Sequence, residues 1–64
     1  MIKQLRQQQN LTQKKLSEMT GINIRQIQKI ESGEIKIGNV TLANAVKLST
    51  ALHISLDELY KNNL

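Results

Sequence analysis

The chain has 64 residues and a net charge of +4, and it contains no cysteine, proline, phenylalanine or tryptophan. A chain this short buries only about 60% of its unfolded surface, so we expect one domain over residues 1–64 with an aliphatic core and modest stability. Without cysteine there is no disulfide framework or thiolate metal site, and no apolar run approaches the roughly 18 residues that cross a bilayer, so a cytoplasmic protein is expected.

The positive charge is concentrated in the first half of the chain. Residues 1–36 carry seven basic and three acidic side chains, whereas the two kinds balance in residues 37–64. This asymmetry suggests a polyanionic partner, nucleic acid before membrane. A basic surface that is merely solvated is the alternative.

Helix-start signals recur along the chain. A Ser, Thr, Asn or Asp cap with apolar residues at the preceding position and four residues later is typical of a helix start. The pattern occurs around Thr12, Asn23 and Ser55 and, more weakly, around Thr41. With a first helix near the N-terminus, it predicts an all-α bundle of five helices over about residues 2–9, 13–20, 24–32, 42–52 and 56–61. The alternation at residues 34–37 is too short for a strand and is interpreted as loop.

Apolar spacing predicts the buried face of each helix. Leu16 and Met19 are expected to face inward on the second helix, and Ile27 and Ile30 on the third. The predicted inner face of the fourth helix comprises Leu42, Ala45, Val46, Leu48 at its edge, Ser49 and Leu52. The core is completed by Ile2, Leu5, Leu11, Ile54, Leu56 and Leu59.

The second and third helices are separated by a very short connection. The chain passes from one helix to the other within residues 20–23, and Gly21 can adopt the positive φ that ends a helix and turns the chain at once. A sharp crossing of two helices joined by a glycine-containing turn is a helix-turn-helix. We therefore predict this motif over residues 13–32.

The third helix is predicted to have a polar ridge opposite its isoleucines. At 100° per residue, this ridge comprises Arg25, Gln28, Lys29 and Ser32. Arg and Lys donate to guanine and Gln pairs with adenine, so the ridge could read base edges in a major groove. Ile24 could touch a thymine methyl or belong partly to the core. A solvated surface is the alternative for the ridge as a whole, but the turn, the basic half and Gln13 at a neighbouring helix N-terminus favour DNA.

The segments "IKQLRQQQNLTQKKLSEMTGINIRQIQKIESG" and "LANAVKLSTALHISLDELY" resemble the lambda-repressor/Cro-type, or xenobiotic-response-element-type, helix-turn-helix family. The resemblance implies base contacts by Ile24, Arg25 and Lys29. It also implies an ion pair between Arg6 and Glu31. Phosphate contacts are expected from Gln13, Asn23, Gln28, Ser32 and, in the following loop, Lys36.

Three features depart from the usual pattern of that family. The loop over residues 33–40 is longer than in compact members and lacks their proline, so Asn39 joins Lys36 as a candidate DNA contact there. His53 replaces the usual glycine after the fourth helix, and Ser17 replaces the usual alanine of the second. His53 is interpreted as a helix-end residue rather than a ligand.

The predicted function is a sequence-specific transcription regulator that binds a near-palindromic operator on double-stranded DNA as a homodimer. The alternative is an antitoxin that binds a toxin protein as well as DNA. Tyr60 and Leu64 are candidate dimer contacts, although they could also bind another protein or finish the core. One histidine, no cysteine and no clustered carboxylates point to neither catalysis nor a metal, and no cofactor is expected.

Overall fold

Five α-helices joined by short connections make up the described part of the chain. The computed structural model describes residues 2–61, and the helices are α1 (Ile2–Gln8), α2 (Gln13–Thr20), α3 (Ile24–Ser32), α4 (Leu42–Leu52) and α5 (Leu56–Lys61). A short 3-10 turn, Ile37–Asn39, precedes α4, and no strand occurs within residues 2–61. The predicted all-α, lambda-repressor-like class is confirmed, and only the end of α1 differs, by one residue.

The four predicted caps all form. The side-chain oxygens of Thr12, Asn23, Thr41 and Ser55 each accept a hydrogen bond from a backbone N–H in the first turn of the following helix. Each cap satisfies a donor that the helix itself leaves without a partner. The helix starts are therefore set by contacts within a few residues of sequence.

Helices α1 and α4 each end at a non-glycine residue in the left-handed backbone conformation. Asn10 follows α1 with φ 59°, and the Leu11 N–H donates to the Arg6 carbonyl at 3.0 Å, which closes a Schellman motif and explains why α1 stops at Gln8. His53 has φ 57° and caps α4 in the same way, as its interpretation as a helix-end residue requires.

One apolar cluster draws on all five helices and the 3-10 turn. Its buried members are Ile2, Leu16, Ile22, Ile27, Ile30, Ile37, Val40, Ala45, Leu48, Ala51, Leu52 and Leu59, with Leu5, Ile35, Ile54, Leu56 and Tyr60 packed against them. Helix α2 packs on both α3 and α4, and α5 packs on α4 and on the 3-10 turn. Residues 34–37 form no strand, as predicted, but Ile37 begins the 3-10 turn. Ile37 and Val40 anchor the loop, although the sequence did not assign either residue to the core.

Met19 was wrongly predicted to face the core. Met19 is 48% exposed, and Thr20 is buried in its place. The Thr20 hydroxyl donates to the Leu16 carbonyl at 2.8 Å and accepts from the Ile22 N–H at 3.2 Å. With both hydrogen-bonding roles used, a threonine can be buried at little cost.

Two residues of α4 were also wrongly placed in the core. Leu42 and Val46 are exposed, whereas Leu48, predicted at the edge, is 1% exposed. The buried face of α4 is centred on Ala45 and Leu52 and extends toward Leu48. Leu42 and Val46 lie just outside that face, on the side away from Leu48. The apolar periodicity alone predicted a wider buried face than α4 has.

Candidate nucleic-acid interface

The turn between α2 and α3 is short and firmly anchored. Gly21 has φ 74°, and its N–H donates to the Ser17 carbonyl at 2.8 Å. Ile22 is buried, and its carbonyl accepts from the Ser17 hydroxyl at 2.6 Å. The start of α3 is thus tied to α2 by backbone, side-chain and apolar contacts.

Helix α3 has a buried side and a cationic side. Ile27 and Ile30 are 1% and 8% exposed and face the core. The opposite side carries a polar ridge of four exposed residues, Arg25, Gln28, Lys29 and Ser32, which we call the α3 ridge. Neither Arg25 nor Lys29 is packed into the protein's interior, so both charges are available to a ligand.

Ile24 lies where α3 meets the end of α1 and the start of α2. It is 36% exposed and lines a concave surface together with Arg6, Gln7, Asn10, Leu11, Thr12, Gln13 and Lys14. Ile24 therefore belongs wholly neither to the core nor to the solvent-facing ridge. Its predicted contact with a thymine methyl stays a prediction.

An ion pair joins α1 to α3 beneath this surface. Arg6 Nε donates to Glu31 Oε2 at 2.7 Å, and the two side chains are 10% and 4% exposed. Arg6 Nη2 donates to Glu31 Oε1 at 3.2 Å, and Nη1 donates to the Leu11 carbonyl at 2.7 Å. Two parallel bonds of this kind hold a carboxylate in one orientation.

Two glutamines extend the pair to the protein surface. Gln13 Nε2 donates to Glu31 Oε1 at 3.0 Å, and Gln28 Nε2 donates to Gln13 Oε1 at 3.2 Å. We call the chain of Arg6, Glu31, Gln13 and Gln28 the glutamine relay. It runs from a buried ion pair to an exposed residue of the α3 ridge.

The pKa of Glu31 is lowered from its ordinary value. Burial of the carboxyl favours the protonated form and acts to raise the pKa, but hydrogen bonds from Arg6 and Gln13 and the positive charges of Arg6 and Lys3 outweigh it. The hydrogen bond to Glu31 raises the pKa of Arg6. Glu31 is therefore an ionised carboxylate at neutral pH.

The other predicted DNA contacts are either already hydrogen-bonded within the protein or lie on the loop after α3. Asn23 is exposed, but its Oδ1 already accepts from the Arg25 N–H at 2.8 Å, so its amide N–H groups are what it can offer. The Ser32 hydroxyl donates to the Lys29 carbonyl at 3.0 Å and would have to rotate to reach a phosphate. Lys36 and Asn39 are exposed on the loop that follows α3.

One of the two candidate dimer contacts lies in the described part of the chain. Tyr60 is half-buried and packs against the core from α5. Leu64 lies outside the described residues.

The glutamine relay is what the sequence reasoning missed. Gln28 was expected only on the α3 ridge, and Gln13 only at a helix N-terminus. One signal was present, because Ile24, Gln28 and Glu31 recur at helical spacing and so share the edge of α3 that faces α2. Nothing in the sequence showed that Gln13 would face the same edge.

Helix α3 is held against α2 by a glycine-containing turn, buries its isoleucines in the core and presents a cationic ridge to solvent. This is the geometry of a helix-turn-helix protein. A family model described as "Helix-turn-helix" matches residues 2–59, and the chain belongs to that family. The predicted resemblance is thereby confirmed.

One curated relative extends the comparison. The "Cryptic phage CTXphi transcriptional repressor RstR" of Vibrio cholerae serotype O1 is 44% identical over 50 residues, which cover 78% of this chain and 42% of that protein. The chain thus spans about two fifths of the length of this relative. No solved structure gives a significant match.

None of the helices within residues 2–61 is long and apolar enough to span a membrane. In the same part of the chain, no three His, Asp or Glu side chains are grouped as metal ligands.

Proposed function

We propose that this protein is a transcription regulator that binds double-stranded DNA sequence-specifically, with α3 in the major groove. The observation that carries the proposal is the α3 ridge, because its exposed Arg25 and Lys29 lie opposite the buried Ile27 and Ile30. Arginine and lysine on an outward helix face donate to guanine O6 and N7. Family membership and the likeness to a phage repressor support the same function.

Phosphate contacts would flank the reading helix. Gln13 lies beside α3, where its second amide N–H is free of the relay, and Asn23 lies at the α3 N-terminus, where backbone N–H groups favour an anion. Lys36 would reach the backbone from the loop after α3. Such contacts hold the protein in register and carry no sequence information of their own.

The regulator is proposed to act as a homodimer. Two copies related by a two-fold axis would place their α3 helices about 34 Å apart, or a multiple of it, so the operator would be close to palindromic. Tyr60 on α5, together with Leu64, is the proposed contact between the copies. The likeness to a repressor favours this function over the antitoxin alternative. The proposed place of action is the cytoplasm.

The decisive experiment selects bound sites from random duplex DNA with the purified protein at two salt concentrations. We expect a near-palindromic consensus and an affinity that falls steeply with salt, since each neutralised phosphate releases counterions. Arg25→Ala and Lys29→Ala should each cost about 1 to 3 kcal/mol and relax the preference at one position of each half-site. Lys47→Ala, which removes an exposed lysine from α4, is the matched control and should keep the wild-type consensus.

Two results would contradict the proposal. One is the absence of any enriched sequence after selection. The other is an unchanged consensus in both α3 variants, which would show that the α3 ridge does not read bases.

A further inference from the structure

We infer that the buried Glu31 carboxylate, acting through Gln13, sets the orientation of the Gln28 carboxamide so that Gln28 reads an adenine. The inference rests on the proposed DNA-binding function and deepens it. It makes Gln28 a specificity-determining residue rather than a phosphate contact, and it makes Gln13 and Glu31 positioning residues.

The direction of each hydrogen bond in the glutamine relay follows from the chemistry of Glu31. An ionised carboxylate only accepts hydrogen bonds, and Arg6 already donates to both of its oxygens, at 2.7 and 3.2 Å. Gln13 must therefore turn its amide nitrogen toward Glu31, and this bond is 3.0 Å long. The amide oxygen of Gln13 then points away from Glu31.

The same constraint passes to Gln28. The Gln13 oxygen can only accept, so Gln28 must present its amide nitrogen, and the two atoms lie 3.2 Å apart. An amide that would otherwise rotate freely at the surface is thereby held in one of its two orientations. A buried charge on one edge of α3 thus controls an exposed group on the α3 ridge.

The orientation leaves Gln28 with one N–H donor and one oxygen acceptor side by side. Adenine presents the matching pair in the major groove, an N7 acceptor beside an N6 donor. Guanine presents two acceptors, N7 and O6, and would need both amide protons of Gln28, one of which is held by Gln13. A Gln28 amide that is held in this orientation therefore favours adenine over guanine. An amide that is free to rotate could bind either base.

The experiment uses the operator selected with the wild-type protein and copies of it with each base pair changed in turn. Gln28→Ala should abolish the preference for adenine at one base pair of each half-site, a preference of between about five-fold and about 150-fold. Glu31→Gln keeps the size of the side chain but supplies a donor, so the amides of Gln13 and Gln28 are no longer forced into one orientation. It should lose most of the preference at the same base pair and keep the others.

Two more variants complete the set. Gln13→Ala leaves the Arg6 and Glu31 pair in place and should relax the same base pair, in addition to weakening binding to all sequences. Gln8→Ala removes an exposed glutamine of α1 that takes no part in the relay, and it should do neither. Thermal unfolding checks that each variant is folded, and if Glu31→Gln does not fold, Gln13→Ala decides the matter.

The outcomes separate this inference from the proposed function. Specific binding by the wild type with an unchanged preference in Gln28→Ala, or a uniform loss across all sequences, overturns the role of Gln28 and leaves the regulator intact. A folded Glu31→Gln variant, or in its place a Gln13→Ala variant, that retains the full adenine preference overturns the relay. The absence of specific binding by the wild type overturns both proposals.

Discussion

The buried ion pair between Arg6 and Glu31 predicts a large and pH-dependent loss of stability when one partner is removed. The substitution is Arg6→Met, which keeps a long side chain and removes the charge. The Glu31 side chain is only 4% exposed, so the variant would leave a buried ionised carboxylate that keeps the hydrogen bond from Gln13 and the more distant charge of Lys3 but loses its ion-pair partner. Breaking a buried pair in this way costs about 3 to 5 kcal/mol.

That loss is large for a protein of this size. At about 0.05 to 0.15 kcal/mol per residue, a chain of 64 residues has a free energy of unfolding of roughly 3 to 10 kcal/mol. The Leu11 carbonyl also loses its bond from Arg6 Nη1 at 2.7 Å, which adds to the cost. We therefore expect Arg6→Met to lose much of its stability at neutral pH.

The pH dependence tests the cause. In the wild type the pKa of Glu31 is lowered, so its contribution is present above the ordinary glutamate pKa of about 4.3 and is lost as the pH falls through the folded value. Arg6→Met removes the hydrogen bonds and the charge that lower the pKa of Glu31 most, while burial still acts to raise it, so the pKa of Glu31 should lie above its wild-type value and protonation at low pH would relieve the cost. The difference in stability should be largest at pH 7 and shrink toward pH 4.

The assay is urea unfolding followed by far-ultraviolet circular dichroism at pH 7, 5.5 and 4. Arg25→Met is the matched control, because Arg25 is exposed on the α3 ridge and its loss should change stability by about 0.5 kcal/mol or less. A free energy of unfolding for Arg6→Met within that range of the wild type at pH 7 would refute the reasoning. So would a deficit that stays constant down to pH 4.

Three further predictions concern the turns and caps, and each is read from the same unfolding curves at pH 7. His53→Gly should stabilise the protein by up to about 1 kcal/mol, since His53 is held at φ 57° without glycine's freedom, and a loss of stability would contradict this. Gly21→Ala should destabilise by about 1 kcal/mol through its φ of 74° alone, because an added Cβ meets no atom within 4 Å, and a neutral result would show that the turn relaxes. Thr12→Ala should cost about 1 kcal/mol by removing the cap that accepts from the Lys15 N–H, whereas Thr50→Ala, an exposed threonine within α4, should not, and equal effects would argue against the cap.

The elements of the fold were largely predictable because their signals are local. Thr12, Asn23 and Ser55 cap their helices through bonds to backbone groups two or three residues away. Gly21 ends α2 for an equally local reason, its tolerance of positive φ. Predictions that depend on such short spans do not require knowledge of how the helices pack.

The errors fell where a neighbouring helix decides which residue is buried. Periodicity favoured Met19 over Thr20 because methionine is the more hydrophobic residue. In the structure, Thr20 is buried with its hydroxyl bonded to backbone groups, while Met19 lies on the outer side of α2. The burial of Ile37 was not predicted, for a related reason. Only the packing of the 3-10 turn against α5 shows that this part of the loop belongs to the core.

The sequence by itself determined where the helices start and end and that α3 has an apolar side opposite a cationic one. These features arise from contacts within one or two helical turns, which the order of residues specifies directly. The family resemblance implied that Arg6 pairs with Glu31, 25 residues away, but only the tertiary structure decided that the pair would be buried and that Gln13, 18 residues from Glu31, would join it to the α3 ridge. Such contacts depend on how three helices meet in space, which no local pattern specifies.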